Sequence, residues 1–391
     1  MCRVTSSRLS VAERYLFLGL RLGRHVDGLV DAYFGPEELA RQVAAEDLVP
    51  ATELAAEADE LMQLASDSWL GDQLRAVRTY AGVLAGEGIG YVDEIERCYG
   101  VRPQVTDTAV YAVAHEELDA LLPGDGPLHD RRVAWREQHA VGKEALVPAL
   151  SEAIAYLREL SARHFGLPDG EELVLEEVRD EPWWAFNYYL GGLRSRVVLN
   201  SDLPTTGPDL VSLAAHEAYP GHHLEHAWKE ALLVREHGLL EETLMLVPTP
   251  QSLVAEGIAE TGQSVLLGAA ERAEVQERLA AHGVHYDAEA SHRVATALEG
   301  LGTVGLDAAL MIHEEGRPLG EVQAYIEHWA LWTPEQAEQS IRFVTDPTWR
   351  AYVITYCAGL ELCRAWVDGD PARFRRLLTE QVRVGDLVAA R

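Results

Sequence analysis

One short segment concentrates the side chains that could perform chemistry. From His216 to His226 the sequence reads His-Glu-Ala-Tyr-Pro-Gly-His-His-Leu-Glu-His, which places four histidines and two glutamates in eleven positions. Zinc prefers imidazole and carboxylate ligands, and a catalytic zinc site keeps one position open for water. A glutamate beside the first ligand can accept the proton of that water. The segment therefore predicts a hydrolytic zinc centre with Glu217 as its general base.

The spacing of the histidines requires a break in the helix that carries them. His216 and His222 stand six residues apart, two more than in the H-E-x-x-H pattern. On an unbroken helix, six steps of about 100° would leave them roughly 120° apart around the axis, so they could not share an ion. Pro220 disrupts a helix and Gly221 tolerates unusual backbone angles, so this pair can form a bulge. The first register therefore predicts His216 and His222 as ligands.

A second register needs no helix break. His222, Glu225 and His226 match the inverted H-x-x-E-H arrangement, in which the two histidines bind the metal and the glutamate serves as base. A Pro-Gly pair inside a histidine cluster is costly for a helix unless it shapes a site, which favours the first register. The inverted register and a purely structural histidine cluster both remain open alternatives.

A third protein ligand is expected downstream. Glu256 lies in the mostly apolar stretch from Val254 to Glu260, and a carboxylate among apolar neighbours should have a partner. Glu260 follows one helical turn later on the same face and is the alternative ligand. It could also accept a hydrogen bond from a ligand histidine. We therefore predict Glu256 as the third zinc ligand.

Most of the chain that must position these residues has sequence patterns typical of α-helices. Capping boxes, or an N-cap followed by proline, predict helix starts at Ser10, Thr333, Asp346 and Asp370. Residues 143–165 carry apolar side chains at helical spacing. We predict a mainly α-helical, zinc-peptidase-like bundle with a cleft. It forms a single domain over residues 1–391, which can divide into lobes at 1–170 and 171–391.

One region departs from the helical pattern. Residues 173–178, 184–189 and 195–199 have strand character, and Gly191-Gly192 supplies a turn before the last of them. They predict a small antiparallel β-sheet directly before the helix that carries His216. A strand at this place could pair with a peptide substrate. A hairpin that only covers the core is the alternative.

Several other side chains near the predicted sheet are candidates for substrate contacts. Arg194 and Arg196 flank its last strand and could clamp a substrate carboxylate, because arginine pairs with carboxylates in a bidentate manner. His313 could contact substrate, although a helix-end histidine is the simpler interpretation. Aromatic residues of the sheet either line a cleft or pack beneath it: Trp183, Trp184, Tyr188 and Tyr189.

Composition narrows the classes of partner and location. The chain has 391 residues, of which 48% are hydrophobic, and its 63 acidic against 33 basic residues give a formal net charge of −30. Such a field repels phosphate backbones and anionic lipids, which argues against nucleic acids and membrane surfaces as partners. The four cysteines are scattered and form no C-x-x-C pair. Without a secretory pattern or an apolar window of about 20 residues, a cytoplasmic protein is expected.

The motifs also carry a resemblance to a known family. The His216-Glu217-x-x-Pro220-Gly221-His222 signature resembles the bacterial domain of unknown function 885 family, whose fold is similar to helical zinc carboxypeptidases related to neurolysin and angiotensin-converting enzyme. The resemblance covers roughly residues 180–365 and implies a zinc metallopeptidase of carboxypeptidase type. In the family the histidine directly after Pro-Gly is the constant one, which favours His222.

Two later motifs extend the resemblance, and two positions depart from it. Glu256-Gly257 and Tyr356-x-x-Gly359 occur in the family's order, and this order predicts Tyr356 as the donor to the oxyanion, with Tyr352 or His313 as alternatives. Many family members have tryptophan where Ile258 follows Glu-Gly, and an Asp-x-Gly-x-His segment that is absent before His313. Substrate specificity is therefore the property that transfers least.

Three functional classes follow from this sequence. The leading one is a zinc metallopeptidase that acts on a peptide or small amide. A non-peptidase hydrolase of small amides or lactones would use the same residues. A helical binding protein with a vestigial metal site would instead have a closed coordination shell without a water position.

Overall fold

The computed structural model describes residues 9–180 and 184–390 and confirms the predicted mainly α-helical class. Trp183 lies outside the described residues. The helices before the sheet are α1 (Val11–Gly23), α2 (Glu37–Ala45), α3 (Ala51–Leu64), α4 (Trp69–Leu84), α5 (Tyr91–Tyr99), α6 (Thr108–Leu121), α7 (Leu128–Gln138) and α8 (Lys143–His164).

The second half of the chain is helical as well. Its helices are α9 (Gly207–Leu213), α10 (His222–Lys229), α11 (Pro250–Leu266), α12 (Ala269–Ala280), α13 (Ala288–Glu299), α14 (Val304–His313), α15 (Leu319–Trp329), α16 (Pro334–Thr345), α17 (Leu360–Val367), α18 (Pro371–Thr379) and α19 (Val384–Ala389). Segments with π-helical hydrogen bonding are Ala214–Ala218, Glu230–Glu236 and Thr355–Gly359, and Leu240–Thr243 is a 3-10 turn.

The predicted helix starts are confirmed in three of four places. Ser10 and Thr333 form capping boxes at α1 and α16, and the Asp370 carboxylate caps α18. The prediction for Asp346 is wrong, because this residue ends α16. Its carboxylate accepts hydrogen bonds from the following turn, including one of 2.8 Å from the backbone N–H of Thr348.

The sheet that precedes the histidine-rich segment is mixed, so the prediction of an antiparallel sheet is only partly correct. Its strands are β2 (Glu172–Val178), β3 (Ala185–Gly191) and β4 (Arg194–Asn200), in the order β2-β4-β3. β3 and β4 form an antiparallel hairpin, whereas β2 pairs with β4 in parallel. β3 occupies one edge of β4, so β2 pairs with the other edge. β3 runs antiparallel to both of its sheet companions, and β2 and β4 therefore run in the same direction.

One interior spans both halves of the chain. The largest core cluster combines Tyr99 and Leu157 from the first half with Leu253 and Ile354 from the second, all almost fully buried. A two-stranded antiparallel sheet joins β1 (Val30–Tyr33) to β5 (Leu244–Leu246). Since apolar burial is the main stabilising contribution, the halves 1–170 and 171–391 support each other.

One stretch contradicts the expectation that no segment is apolar enough for a membrane span. The segment Ala288–His313 passes that test by length and composition, with a mean hydropathy of 1.3. In the structure it comprises α13 and α14, separated by a turn, and half of the tested window is buried inside the protein. These apolar side chains contribute to the core, as Val294 and Leu306 do.

Candidate metal centre

The backbone breaks at the predicted place. Helix α9 passes into the π-helical turn that carries His216, and a new helix begins at His222. The break is held by a hydrogen bond of 2.9 Å from the N–H of Gly221 to the carbonyl oxygen of Ala215. A Cβ on Gly221 would lie 1.9 Å from the carbonyl oxygen of His216, so only glycine fits. The predicted bulge at Pro220-Gly221 is therefore confirmed.

The break brings the three predicted ligands together. The Nε2 atoms of His216 and His222 are 3.1 Å apart. Glu256, on α11, places Oε2 3.5 Å from Nε2 of His216 and Oε1 3.6 Å from Nε2 of His222. One ligand atom from each side chain lies within 4.8 Å of the others, and the described part of the chain contains no second group of this kind.

These separations leave room for one ion between the three side chains. Ligands at about 2.0–2.1 Å from zinc lie about 3.4 Å from one another in a tetrahedron. The 3.1 Å between the imidazoles and the 3.5 Å from His216 to Oε2 of Glu256 are near this value, whereas the 3.6 Å distance from His222 is to the other oxygen, Oε1. Oε2 of Glu256 is buried and accepts no hydrogen bond within the described residues. A buried carboxylate oxygen without a donor is costly, and a cation between it and the imidazoles would satisfy it. The donor set of two imidazoles and one carboxylate therefore suits zinc.

Neighbouring side chains orient the three predicted ligands and shift their pKa values. The Nδ1 atom of His216 lies 3.4 Å from Oε1 of Glu260. At this place Glu260 can orient the histidine, which is the role that the sequence analysis gave it as an alternative to binding the metal. Burial lowers the pKa of His216, but the carboxylates of Glu260 and Glu256 outweigh it and raise the pKa to about 10. Burial raises the pKa of Glu256, but His222 outweighs it and lowers the pKa to about 2. A metal ion that bound to these side chains would therefore displace protons.

The three predicted ligands, His216, His222 and Glu256, border a cavity of about 120 Å³, which we call the metal cavity. It is lined by Asp31, Ala185, Phe186, Asn187, His216, Glu217, His222, His226, Met245, Glu256, Trp349, Tyr352 and Tyr356. Glu217 and Tyr356, the predicted catalytic residues, thus line the same cavity as the three predicted ligands. The cavity also contacts β3, the strand at the edge of the sheet.

The two tyrosines of the cavity have different partners. Tyr352 donates a hydrogen bond of 2.7 Å to Oε1 of Glu256, which fixes the predicted third ligand. The hydroxyl of Tyr356 forms no hydrogen bond within the described residues, and this side chain is 41% exposed. The protein around the phenol, and then the charges of Glu256 and Glu217, raise the pKa of Tyr356. Tyr356 is therefore protonated, and its hydroxyl is free to donate a hydrogen bond.

Two glycines set the distance between the third ligand and the tyrosines. A Cβ on Gly257 would lie 2.4 Å from the carbonyl oxygen of Gly359 and 2.5 Å from Sγ of Cys363. A Cβ on Gly359 would also clash with the backbone of α11. The backbones of α11 and the π-helical turn Thr355–Gly359 therefore touch directly. This contact places Glu256 and Tyr356, which precede the glycines in their motifs, at one cavity.

The inverted register is not assembled in the structure. The buried carboxylate of Glu225 accepts a hydrogen bond of 2.6 Å from Lys229, so it is engaged away from the ligands. The ring of His226 stacks on Tyr189 with centroids 4.8 Å apart, and it lines the cavity without joining the three ligands. Glu225 and His226 therefore do not form an alternative metal site here.

His223 belongs to a buried polar network. Its Nε2 lies 2.8 Å from Oε2 of Glu171, and its Nδ1 lies 2.8 Å from Oγ of Ser195. Tyr219 and Arg158 also donate hydrogen bonds to Glu171. This network joins α10 to β4 and α8. His223 therefore positions α10, the helix that begins with His222.

The predicted arginine clamp lies outside the cavity. Arg194 is exposed on β4. Arg196 pairs with Glu176 at 3.3 Å, and its guanidinium lies 4.7 Å from the ring centroid of Tyr188. Neither arginine lines the metal cavity, because β4 is the central strand and β3 separates it from the site.

His313 is also placed away from the ligands. Its Nε2 lies 2.7 Å from the carbonyl oxygen of Val344, and its ring stacks on Tyr91 with centroids 4.4 Å apart. Burial lowers the pKa of His313, so the ring is neutral and donates to that carbonyl. The simpler interpretation, a helix-end histidine of α14, describes this arrangement.

Of the aromatic residues that the sequence singled out, Trp184, Tyr188 and Tyr189 pack around the sheet and do not line the metal cavity. Nε1 of Trp184 donates a hydrogen bond of 3.0 Å to Oγ1 of Thr205. The hydroxyl of Tyr189 donates one of 2.6 Å to Glu230. The structure thus corresponds to the packing alternative for Trp184, Tyr188 and Tyr189.

Sequence reasoning missed two polar residues of the cavity. Asp31 lies in the irregular part of β1, where Val30 and Ala32 pair with consecutive residues of β5, and such a bulge redirects a side chain. Burial raises the pKa of Asp31 to about 6. Asn187 donates a hydrogen bond of 2.5 Å to the carbonyl oxygen of Glu217 and so anchors the π-helical turn. A charged residue within a short apolar strand was the available signal for Asp31.

Comparison with known proteins shows the fold and leaves the family open. No protein-family model and no curated protein matches the sequence. A solved structure from Colwellia psychrerythraea, assigned as a lipoprotein, is similar with a TM-score of 0.51 and 16% identity over 97% of this chain and 66% of that one. One from Shewanella oneidensis, assigned as a lipoprotein of unknown function, has a TM-score of 0.47 and 15% identity over 95% and 73%. This chain thus spans about two thirds of the length of the Colwellia protein, with which it shares the fold.

Proposed function

We propose that the protein is a zinc-dependent hydrolase, a metallopeptidase of carboxypeptidase type. The observation that carries the proposal is the convergence of His216, His222 and Glu256 on one point of a cavity that Glu217 and Tyr356 also line. Two imidazoles and a carboxylate leave a coordination position for water, as catalytic zinc sites do. The resemblance of the motifs to a zinc carboxypeptidase-like family supports the same reaction.

The residues divide the hydrolytic reaction between them. His216, His222 and Glu256 would hold the zinc ion, which would supply Lewis-acid polarisation of the substrate carbonyl. Glu217 accepts a proton from the attacking water as the C–O bond forms, and it returns this proton to the leaving nitrogen as the C–N bond breaks. The hydroxyl of Tyr356 donates a hydrogen bond to the carbonyl oxygen as negative charge develops on it. Glu260 holds the ring of His216 in place.

The surroundings of the cavity favour a peptide over other substrates. β3 lies at the edge of its sheet and lines the cavity with Ala185 and Asn187, a position from which an extended peptide can be recognised. A volume of only about 120 Å³ also suits a small amide or lactone, which is the second candidate substrate class. A peptide must therefore extend beyond this cavity.

A zinc-dependent peptide screen tests the proposal. The purified protein, with and without added zinc, is incubated with a library of short peptides, and released amino acids are identified by mass spectrometry. We expect zinc-dependent cleavage by the wild-type protein. Glu217→Gln should retain zinc but lose measurable turnover, since the amide keeps the shape and loses the base. Cleavage restricted to small amides or lactones would favour the second class, and zinc binding without any turnover would favour a binding protein.

The cellular location follows from separate observations. Cys98, Cys357 and Cys363 form no disulfide among the described residues, in keeping with the cytoplasm. The structural neighbour from Colwellia psychrerythraea is assigned as a lipoprotein, which favours the cell envelope. We propose the cytoplasm, and cell fractionation followed by immunoblotting tests this; recovery in the envelope fraction would contradict it.

A further inference from the structure

A larger cavity adjoins the metal cavity. It has a volume of about 620 Å³, and Tyr356 lines both cavities. Much of its wall is apolar, including Leu301, Val304, Trp332 and Phe343. Tyr356 is thus a wall common to the metal cavity and to a second space that is large enough for an apolar side chain.

The polar part of this wall contains an arginine without an acidic partner. Nη1 of Arg132, on α7, donates hydrogen bonds of 2.6 and 2.9 Å to the carbonyl oxygens of Ala330 and Leu331. Nε of Arg132 is buried without a hydrogen-bond partner. Among the described residues, no carboxylate lies within ion-pair distance of this guanidinium.

The neighbouring arginine of the same wall is different. Arg136 lies one helical turn after Arg132 and pairs with Asp209 at 2.9 Å, so its charge is compensated. Burial, followed by the charge of Arg136, lowers the pKa of Arg132 to about 10. Arg132 thus carries a positive charge that no carboxylate contacts and that the more distant Asp209 offsets only in part, in a chain whose formal net charge is −30. Holding a desolvated charge without a counterion is costly, and an anionic ligand would relieve that cost.

We propose that Arg132 binds the free carboxylate of the substrate. The inference rests on the proposed hydrolase function and adds the substrate class: short peptide acids or N-acyl amino acids with an apolar side chain at the carboxylate end. Guanidinium groups recognise carboxylates through strong charge-assisted hydrogen bonds. Arg132 therefore takes the role that the sequence predicted for Arg194 and Arg196, which lie outside both cavities.

Binding of 3-phenylpropanoate and 3-phenylpropanol, measured by isothermal titration calorimetry, tests the proposal. The two probes share an apolar ring, differ in the carboxylate, and contain no bond to hydrolyse. We expect the full chain to bind the acid on the order of 10-fold or more tightly than the alcohol. Arg132→Gln should remove this preference. Arg194→Gln, which changes an exposed arginine, is the matched control and should keep it.

Repeating the titration after removal of zinc with a chelator separates this site from the metal. The protein should still bind the acid more tightly than the alcohol when zinc is absent. This measurement requires no turnover. A failure of the hydrolase proposal would therefore leave the carboxylate-site proposal intact. Equal affinities for acid and alcohol in the zinc-free wild-type protein would overturn the proposal, whether or not Arg132→Gln folds. A preference that is lost with zinc and kept in Arg132→Gln would assign the carboxylate to the metal instead.

Discussion

The backbone contact between Gly257 and Gly359 gives a quantitative test of how the site is built. In Gly257→Ala, the new Cβ would lie 2.4 Å from the carbonyl oxygen of Gly359, whereas ordinary contacts begin near 3.4 Å. The two backbones must therefore separate by about 1 Å, because a carbonyl oxygen cannot rotate away as a side chain can. Overpacking of this kind costs about 1–3 kcal/mol, and we expect the upper part of that range. The same shift moves Glu256 from the histidines and should weaken zinc binding about 10-fold or more.

Urea unfolding followed by circular dichroism measures the stability, and competition with a chelating dye measures the zinc affinity. Gly320→Ala is the matched control, because a Cβ on this glycine of α15 would meet nothing within 4 Å. Its free energy of unfolding should be unchanged or up to about 1 kcal/mol higher, since alanine favours a helix. A Gly257→Ala protein with wild-type stability and zinc affinity would refute the reasoning.

Three further predictions concern single side chains of the site. Tyr356→Phe should lower kcat about 100-fold in steady-state kinetics with unchanged zinc content, because only the donor to the oxyanion is lost, and wild-type turnover would exclude this role. His223→Ala should lower the free energy of unfolding by about 2–3 kcal/mol in urea, because Glu171 loses a buried partner, while the zinc content stays the same; an emptied site would make His223 a ligand. Asp31→Asn should stabilise the zinc-free protein at pH 7.5 by about 1–2 kcal/mol, since the raised pKa of Asp31 makes its ionised form unfavourable in the folded state. That gain should fade as the pH falls from about 6 to below about 4, since only there is Asp31 protonated in the unfolded state as well, and a gain independent of pH would contradict it.

The parts of the site that are close in sequence could be predicted from it. The Pro220-Gly221 pair signalled a helix break, and the break lets His216 and His222 meet. Glu256 followed from a carboxylate in an apolar helical stretch, which burial in α11 explains. In each case the local chemistry of a few residues determines the geometry.

The parts that depend on distant pairing could not be predicted. Asp31 reaches the cavity only because β1 pairs with β5, a contact between segments far apart in the chain. Arg132 becomes distinctive only when folding leaves it without a carboxylate partner, which its neighbours in sequence do not reveal. The role given to Arg194 and Arg196 failed for a similar reason, because the order of strands in the sheet decides which strand faces the cavity.

Zinc content of ligand variants tests the central claim most directly. Elemental analysis of the purified protein should find one zinc per chain, and His216→Ala, His222→Ala and Glu256→Ala should each lose most of it. His226→Ala is the matched control, since His226 lines the same cavity without joining the three ligand atoms, and it should keep its zinc. An empty site in His226→Ala together with full occupancy in His216→Ala would contradict this assignment and establish the inverted register.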